Sequence, residues 1–401
     1  MPKILNSFKK NLIILILLSL FVRIITFGSV ELNGYDERAY NIFMQALHKD
    51  GISGIRDLVN SYPSDEFLSQ GPLPFRILFY LLGALTCKVF GHCSLSNLAI
   101  ISFFSGFGII IAGFILFRKW FSPGVAFLSA LLLITSPLAI ALSRRALQDS
   151  FFTFIVILSI LFFHRCLFRG KKADFYLLGL FVLLGLLTKE SMILLYPCFG
   201  LIAIYYRENL SSKLLAKLFI FLIISPILYL LISACLAGGF DVYFKTYLQY
   251  LFMQNKIAYA IKYQSGGLLR YIIDFMLVSP FVFLFSIFGL VTFLLSRIAK
   301  SKADSAVIYL AGGFLVFSLL PIMNLRLVLF LDLFLRAFVI LGVVFIARKI
   351  KIRRFSYTVI ILLLLFLISA DISQYFRLFI KSNIYDPVTI ELMRGNGLIM
   401  K

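Results

Sequence analysis

The chain has 401 residues, is 61% hydrophobic and only 14% charged, and carries a formal net charge of +21; its mean hydropathy is +0.99. Such a composition excludes a soluble domain, and the repeated long apolar runs point to an all-α polytopic membrane protein. A β-barrel is excluded because its segments alternate apolar and polar residues, and the basic excess is assigned to membrane topology rather than to nucleic acid.

In chain order, Lys3, Lys9 and Lys10 precede a run from Asn11 to Gly28 that is apolar except for Ser19, Arg23 and Thr26. Arg23, with no clear small-x-small site, argues against a cleaved signal. Further apolar runs lie at 72–90, 96–117, 123–142, 149–167, 173–188, 191–206, 214–236, 271–296, 305–321, 326–347 and 355–373. Short loops rich in Lys and Arg stay cytoplasmic. The basic connections are the N-terminus, Arg118-Lys119, Arg169 to Lys172, Arg207 to Lys217, Arg297 to Lys302 and Arg348 to Arg354. If 72–90 crosses, every later basic loop falls opposite the N-terminus; if it does not, all lie inside. The second reading is adopted. The segment starts Gly71-Pro72-Leu73-Pro74 and carries Arg76 and Lys88, which suits a juxtamembrane helix. The expectation is about eleven spans across a ~30 Å core, with the N-terminus cytoplasmic and the C-terminus outside. One transmembrane domain is expected over 1–401, with outer loops at 29–95 and 237–270 and no soluble domain.

That parity places four polar groupings on the outer face. Asp36-Glu37 follows the first span. An acid at a membrane edge needs water, a cation or a substrate to balance it. One carboxylate can be a general base for an acceptor hydroxyl, with the other positioning the acceptor or holding a divalent cation; the alternative is a hydrated loop acid or an ion pair with Arg38 or Arg23. Arg144 and Arg145 precede Asp149, which suits the start of a helix. The arginines either hold a phosphate or are interfacial, with Arg145–Asp149 spaced for a helical pair. Lys189-Glu190 either neutralises itself, snorkels or binds phosphate. Arg326 follows Pro321 at the outer mouth as a further phosphate candidate, whereas Asp332 and Arg336 are expected to pair inside the bundle. In the second loop, Tyr243, Tyr247 and Tyr250 follow helical spacing. They suit an interfacial helix anchored by its aromatics in the headgroup layer, or a lid over a lipid-linked substrate. The cysteines (Cys87, Cys93, Cys166, Cys198, Cys235) form no metal spacing or disulfide framework, with a local Cys87–Cys93 bridge left open. His48, His92 and His164 are dispersed.

In order, these landmarks resemble the GT-C glycosyltransferases of the protein-O-mannosyltransferase type, and within them the branch of the lipid A aminoarabinose transferase. Asp36-Glu37-Arg38-Ala39-Tyr40 fits an Asp-Glu-x-x-Tyr signature in the first outer loop. Gly71-Pro72-Leu73-Pro74 with Phe90-Gly91 fits its juxtamembrane helix. Ser136-Pro137, Ser143-Arg144 and Leu147-Gln148-Asp149 fit a Pro, a Ser-Arg and a helix starting at Asp, and Leu187-Thr188-Lys189-Glu190 fits a Thr-Lys motif. The likeness covers roughly residues 10–210. Departures are Gln70-Gly71 where relatives carry Lys or His, Ser96-Asn97 where an arginine is common, and Leu320-Pro321 in place of a longer Tyr-containing segment.

The resemblance implies a polyprenyl-phosphate-linked sugar donor, a hydroxyl acceptor on a lipid, glycan or protein, and inverting transfer at the outer face of a bacterial inner membrane. In its terms Asp36 and Glu37 are catalytic, with Asp36 the base. Lys189, Arg144 and Arg326 bind the leaving phosphate, and Asp149, Glu190 and Arg145 orient. No cofactor is assigned, and a divalent cation at the Asp36/Glu37 site is left open. A transporter or flippase of a lipid-linked sugar is the competing class.

Overall fold

The computed structural model describes residues 7–26, 32–254, 256–296, 299 and 301–399, the side chains of Asn209, Gln254 and Arg353 excepted. Lys3, Gly28, Arg297 and Lys300, used above to read topology, lie outside the described residues. Among the described residues every regular element is helical. Five helices are long and apolar enough to cross a membrane: Leu95–Trp120, Asp149–Arg169, Ser212–Ala237, Leu325–Arg348 and Arg354–Lys381. Shorter apolar helices accompany them, and the chain is a multi-pass membrane protein.

Where an expected apolar run is broken, a proline marks the break. The run 123–142 divides into Pro123–Ile134 and Pro137–Leu142, and the run 271–296 into Arg270–Val278 and Pro280–Ser296. Proline lacks the N–H that would continue the preceding helix and clashes with its last turn. The juxtamembrane candidate is the helix Ile77–Phe90 of 14 residues. At about 1.5 Å per residue it is roughly 21 Å long, short of a ~30 Å hydrocarbon core. Gly91, at φ 72°, ends this helix in the left-handed region, and Cys93 returns to form a disulfide with Cys87.

The chain divides into two compact units. One comprises Met1–Val30, Gly106–Leu142 and Gly266–Lys401. Its centre is the close crossing of Pro280–Ser296 and Leu329–Arg348. A Cβ on Gly289 would meet the Phe338 carbonyl oxygen at 1.8 Å, and one on Gly342 would meet Gly289 Cα at 3.1 Å. Small residues of this kind let membrane helices approach backbone to backbone. Trp120 stacks on Tyr309 and Phe334, with ring centroids 6.1 and 6.0 Å away. Fully buried Arg336 pairs with Asp332 at 3.0 Å, as its spacing predicts, and also with Asp371 at 2.6 Å. Ser136 Oγ donates to Asp332 at 2.6 Å, and Arg336 Nη1 donates to the Leu132 carbonyl at 2.8 Å. The charges of one helix are thus satisfied from two others and from Ser136 in the connection between Pro123–Ile134 and Pro137–Leu142.

The second unit comprises Glu31–Ser105 and Ser143–Ser265. Its core joins helix Tyr35–Ser61, through Ala39, Phe43, Met44, Ile55 and Val59, to Phe79, Tyr80 and Ala84 of Ile77–Phe90 and to Leu98 and Ala99. The apolar positions of Tyr35–Ser61 recur at helical spacing, which explains the buried face. Gly51, at φ 64°, kinks this helix.

Gly289→Ala is expected to destabilise the protein by at least about 1–3 kcal/mol, as overpacking does, because the obstacle is backbone. Gly200→Ala, whose Cβ would meet nothing within 4 Å, is the matched control. Thermal melting in detergent checks both; equal melting temperatures would contradict the crossing.

Candidate active site

The second unit gathers most of the outer-face charges predicted from sequence. Helix Tyr35–Ser61 begins after Gly34, with Asp36 and Glu37 in its first turn. Adjacent helical residues diverge by about 100°, and these two carboxylates have different surroundings. Glu37 is 0% exposed. It accepts from Arg145 Nε at 2.8 Å and Nη2 at 2.7 Å, and from the Ala146 N–H at 3.0 Å. It also reaches back one turn to the Gly34 N–H at 2.6 Å, the carboxylate half of a capping box. A forked guanidinium with two amides satisfies both oxygens of a buried carboxylate. Asp36 is half-buried. Tyr40 lies one turn on, where i and i+4 side chains meet, and its hydroxyl bonds Arg76. Burial raises its pKa well above the tyrosine range; Arg76 opposes this, while Asp36 and Asp149 add to it.

Glu37 and Ser102 both hold the turn 143–148. Ser102 Oγ donates to the Leu147 carbonyl at 2.6 Å, complementing the Glu37–Ala146 bond. Arg145 therefore precedes the helix Asp149–Arg169 rather than sharing it, and the expected helical Arg145–Asp149 spacing does not apply. Arg144, beside it, is buried. Burial and then the neighbouring Arg145 lower its pKa to about 10, so it remains a cation at neutral pH.

Lys189 and Glu190 do not simply neutralise each other. Lys189 is extended, at φ −160°, between helix Lys172–Thr188 and the 3₁₀ turn Glu190–Leu195. Its Nζ donates to Asp149 Oδ1 at 2.7 Å. Glu190 instead takes Arg76, whose Nε lies 2.9 Å from Oε2. Arg76 Nη2 also donates to the Tyr250 hydroxyl at 3.1 Å. Burial pulls the Arg76 pKa down, but Glu190, Tyr250 and Tyr40 more than offset it, leaving it above the ordinary arginine value. The loop before Arg76 is shaped by phenols: Tyr62 donates to the Gly71 carbonyl at 3.0 Å, and Tyr80 donates to that of Pro74.

Arg76, Tyr40, Glu190 and Tyr250 thus form one linked polar group, which adjoins the Lys189–Asp149 pair through the neighbouring Lys189 and Glu190; the Asp36 and Asp149 charges act on Tyr40. Arg326 belongs to the other unit. There it pairs with Asp386 at 3.3 Å, its N–H donates to Asn324 Oδ1 at 3.0 Å, and its guanidinium lies over the Tyr385 ring. A cation shared by Asp36 and Glu37 fits poorly, since both Glu37 oxygens already serve a guanidinium and two amides. The metal-capable cluster found among the described residues is His48, Cys87 and Cys93, within 4.8 Å, and its sulfurs are joined as a disulfide.

The sequence model of the dolichyl-phosphate-mannose-protein mannosyltransferase family matches residues 74–232. Among solved structures, ArnT of Cupriavidus metallidurans bound to undecaprenyl phosphate is similar at a TM-score of 0.62 and 14% identity, over 98% of this chain and 79% of that one. Its apo state gives 0.54 and 13%, over 86% and 61%. The Archaeoglobus fulgidus oligosaccharyltransferase tethered to an acceptor peptide gives 0.65 and 14%, over 91% and 54%. The chain has the GT-C fold. It spans less than two thirds of the apo ArnT chain and of the oligosaccharyltransferase. No curated protein matches it.

Two residues of this site had been given no role in it from sequence. Arg76 is a cation opening an apolar helix, a position that demands a partner, and that was the available signal. Tyr40 stands one turn from Asp36 in the quoted signature. Arg76→Met strands Glu190 and is expected to cost roughly 3 kcal/mol, the lower end for breaking a buried pair, with Glu190→Met in the same chain recovering part of it. Melting of the two variants in detergent measures this; stability unchanged by Arg76→Met would contradict the linkage.

Proposed function

We propose that this GT-C protein is a membrane glycosyltransferase that moves a sugar from a polyprenyl-phosphate donor to a hydroxyl of a lipid, glycan or protein acceptor. The observation that carries the reading is the gathering of these charges in one compact unit. A half-buried carboxylate, Asp36, shares one unit with Arg144 and Lys189, two cations suited to a phosphate leaving group. It is supported by the family match over 74–232 and by the likeness to ArnT bound to undecaprenyl phosphate.

In this reading Asp36 accepts the proton of the acceptor hydroxyl as its oxygen attacks the anomeric carbon. The bond from that carbon to the phosphate oxygen breaks, its electron pair leaves with the phosphate, and the configuration inverts. Arg144 and Lys189 stabilise the charge that develops there, Lys189 being aimed by Asp149. Glu37 is a positioning residue: it holds the Arg145 turn and carries no proton in the step. Glu190 positions Arg76 and through it Tyr40 and Tyr250. Arg326 pairs with Asp386 within its own unit, and no role in the transfer is assigned to it. The outward orientation of the site is supported by the Cys87–Cys93 bridge in the same loop, since disulfides persist in oxidising compartments.

Asp36→Asn preserves shape and is expected to keep wild-type melting and membrane insertion while lowering sugar transfer by about 10²–10⁴-fold, the usual contribution of a general base. Mass spectrometry of envelope glycans from cells carrying each form checks this. The mass missing in the variant names the sugar, and the molecule missing it names the acceptor. Wild-type glycans with Asp36→Asn would refute the assignment.

A further inference from the structure

The second outer loop was expected to form an interfacial helix, its tyrosines either anchored in the headgroup layer or serving as a lid over a lipid-linked substrate. The structure turns the tyrosines inward, against the headgroup reading. In helix Phe240–Gln254, Tyr243 is 3% exposed, stacks on Tyr247 and packs on Phe75, while Tyr250 bonds Arg76. The opposite face presents Phe240, Phe244, Leu248 and Phe252 at 51, 49, 63 and 55% exposure. These stand four residues apart, a continuous apolar stripe along the helix.

We propose that this stripe is seated in the surface of an anionic phospholipid bilayer, making Phe240–Gln254 an interfacial helix with phospholipid as its partner. Chain connectivity argues for lipid. The helix starts three residues after Ala237, the end of the span Ser212–Ala237, and Gly238, at φ 88°, turns the chain there. The stripe therefore emerges where that span leaves the hydrocarbon. Charge argues the same way. Exposed Lys245, Lys256 and Lys262 flank it against Asp241, and Lys256 Nζ sits 3.9 Å over the Phe252 ring. Cations beside an apolar face are what an interface with anionic headgroups selects. The tyrosine face then looks inward to Arg76, so lipid seating fixes Tyr250 at the polar group. This assignment does not depend on the reaction proposed above.

The chain contains one tryptophan, Trp120, which makes a fluorescence test direct. Trp120→Phe removes it, and Phe244→Trp or Tyr247→Trp then reports one face of the helix. The full-length protein is placed in vesicles of phosphatidylglycerol and phosphatidylcholine, with the phosphatidylcholine brominated either near the headgroup or near the chain end. The Phe244→Trp emission is expected to be blue-shifted and to lose most of its intensity to the shallow bromines, less to the deep ones. Tyr247→Trp is expected to be quenched little by either. If Trp120→Phe unfolds the protein, the same signals are read as differences from the chain retaining Trp120. A Phe244→Trp signal that neither bromine quenches, whether water-exposed or covered by a second copy or another protein, would overturn the proposal.

Discussion

A carboxylate with no access to water must find its balance within the protein, and Glu37 does so with one guanidinium and two backbone amides. An unpaired buried ion costs several kcal/mol, so the pair is tolerated only with this geometry. Its structural consequence exceeds its energy. Glu37 fixes the first turn of Tyr35–Ser61, which carries Asp36, against the turn 143–148, which carries Arg144 and leads into Asp149. Segments more than a hundred residues apart in the chain thereby acquire one register, and the remaining polar contacts assume it.

The same rule recurs outward from that pair. Asp149 is balanced by Lys189 at 2.7 Å and Glu190 by Arg76 at 2.9 Å. The extended break at Lys189 separates the two neighbours so that each serves a different partner. Arg76 then reaches Tyr40 and Tyr250, bringing a third segment to the group. In the other unit Arg336 is held between Asp332 and Asp371. Charges buried in a membrane protein act here as specific joints between helices, since each can be satisfied only where its partner stands.

How much of this the sequence discloses follows from how local each interaction is. Apolar runs, the short helix at 77–90 and the Asp332–Arg336 pair depend on neighbours within a few residues and are legible, whereas the runs 123–142 and 271–296 were read as unbroken although Pro137 and Pro280 divide them. The Asp36, Arg144, Asp149 and Lys189 motifs were legible as candidates. Their pairings were not, because the Glu37–Arg145 and Arg76–Glu190 partners are long-range and many acids and bases compete on paper. For the tyrosine face of Phe240–Gln254, aromatic identity left headgroup anchoring and a substrate lid both open; the exposed stripe at 240, 244, 248 and 252 places the tyrosines on the inner side. Arg326 was legible as a cation, whereas its partner, Asp386, lay in a C-terminal segment without a motif.

The central claim is that Glu37 and Arg145 act as one unit, and a double-mutant cycle tests it most directly. Melting of Glu37→Gln, Arg145→Met and the double variant is compared in one detergent. Each single change is expected to cost roughly 3–5 kcal/mol by leaving the partner charge buried and unbalanced. The double variant, with no stranded charge, is expected to be no less stable than the worse single one. Losses that simply add would contradict the account.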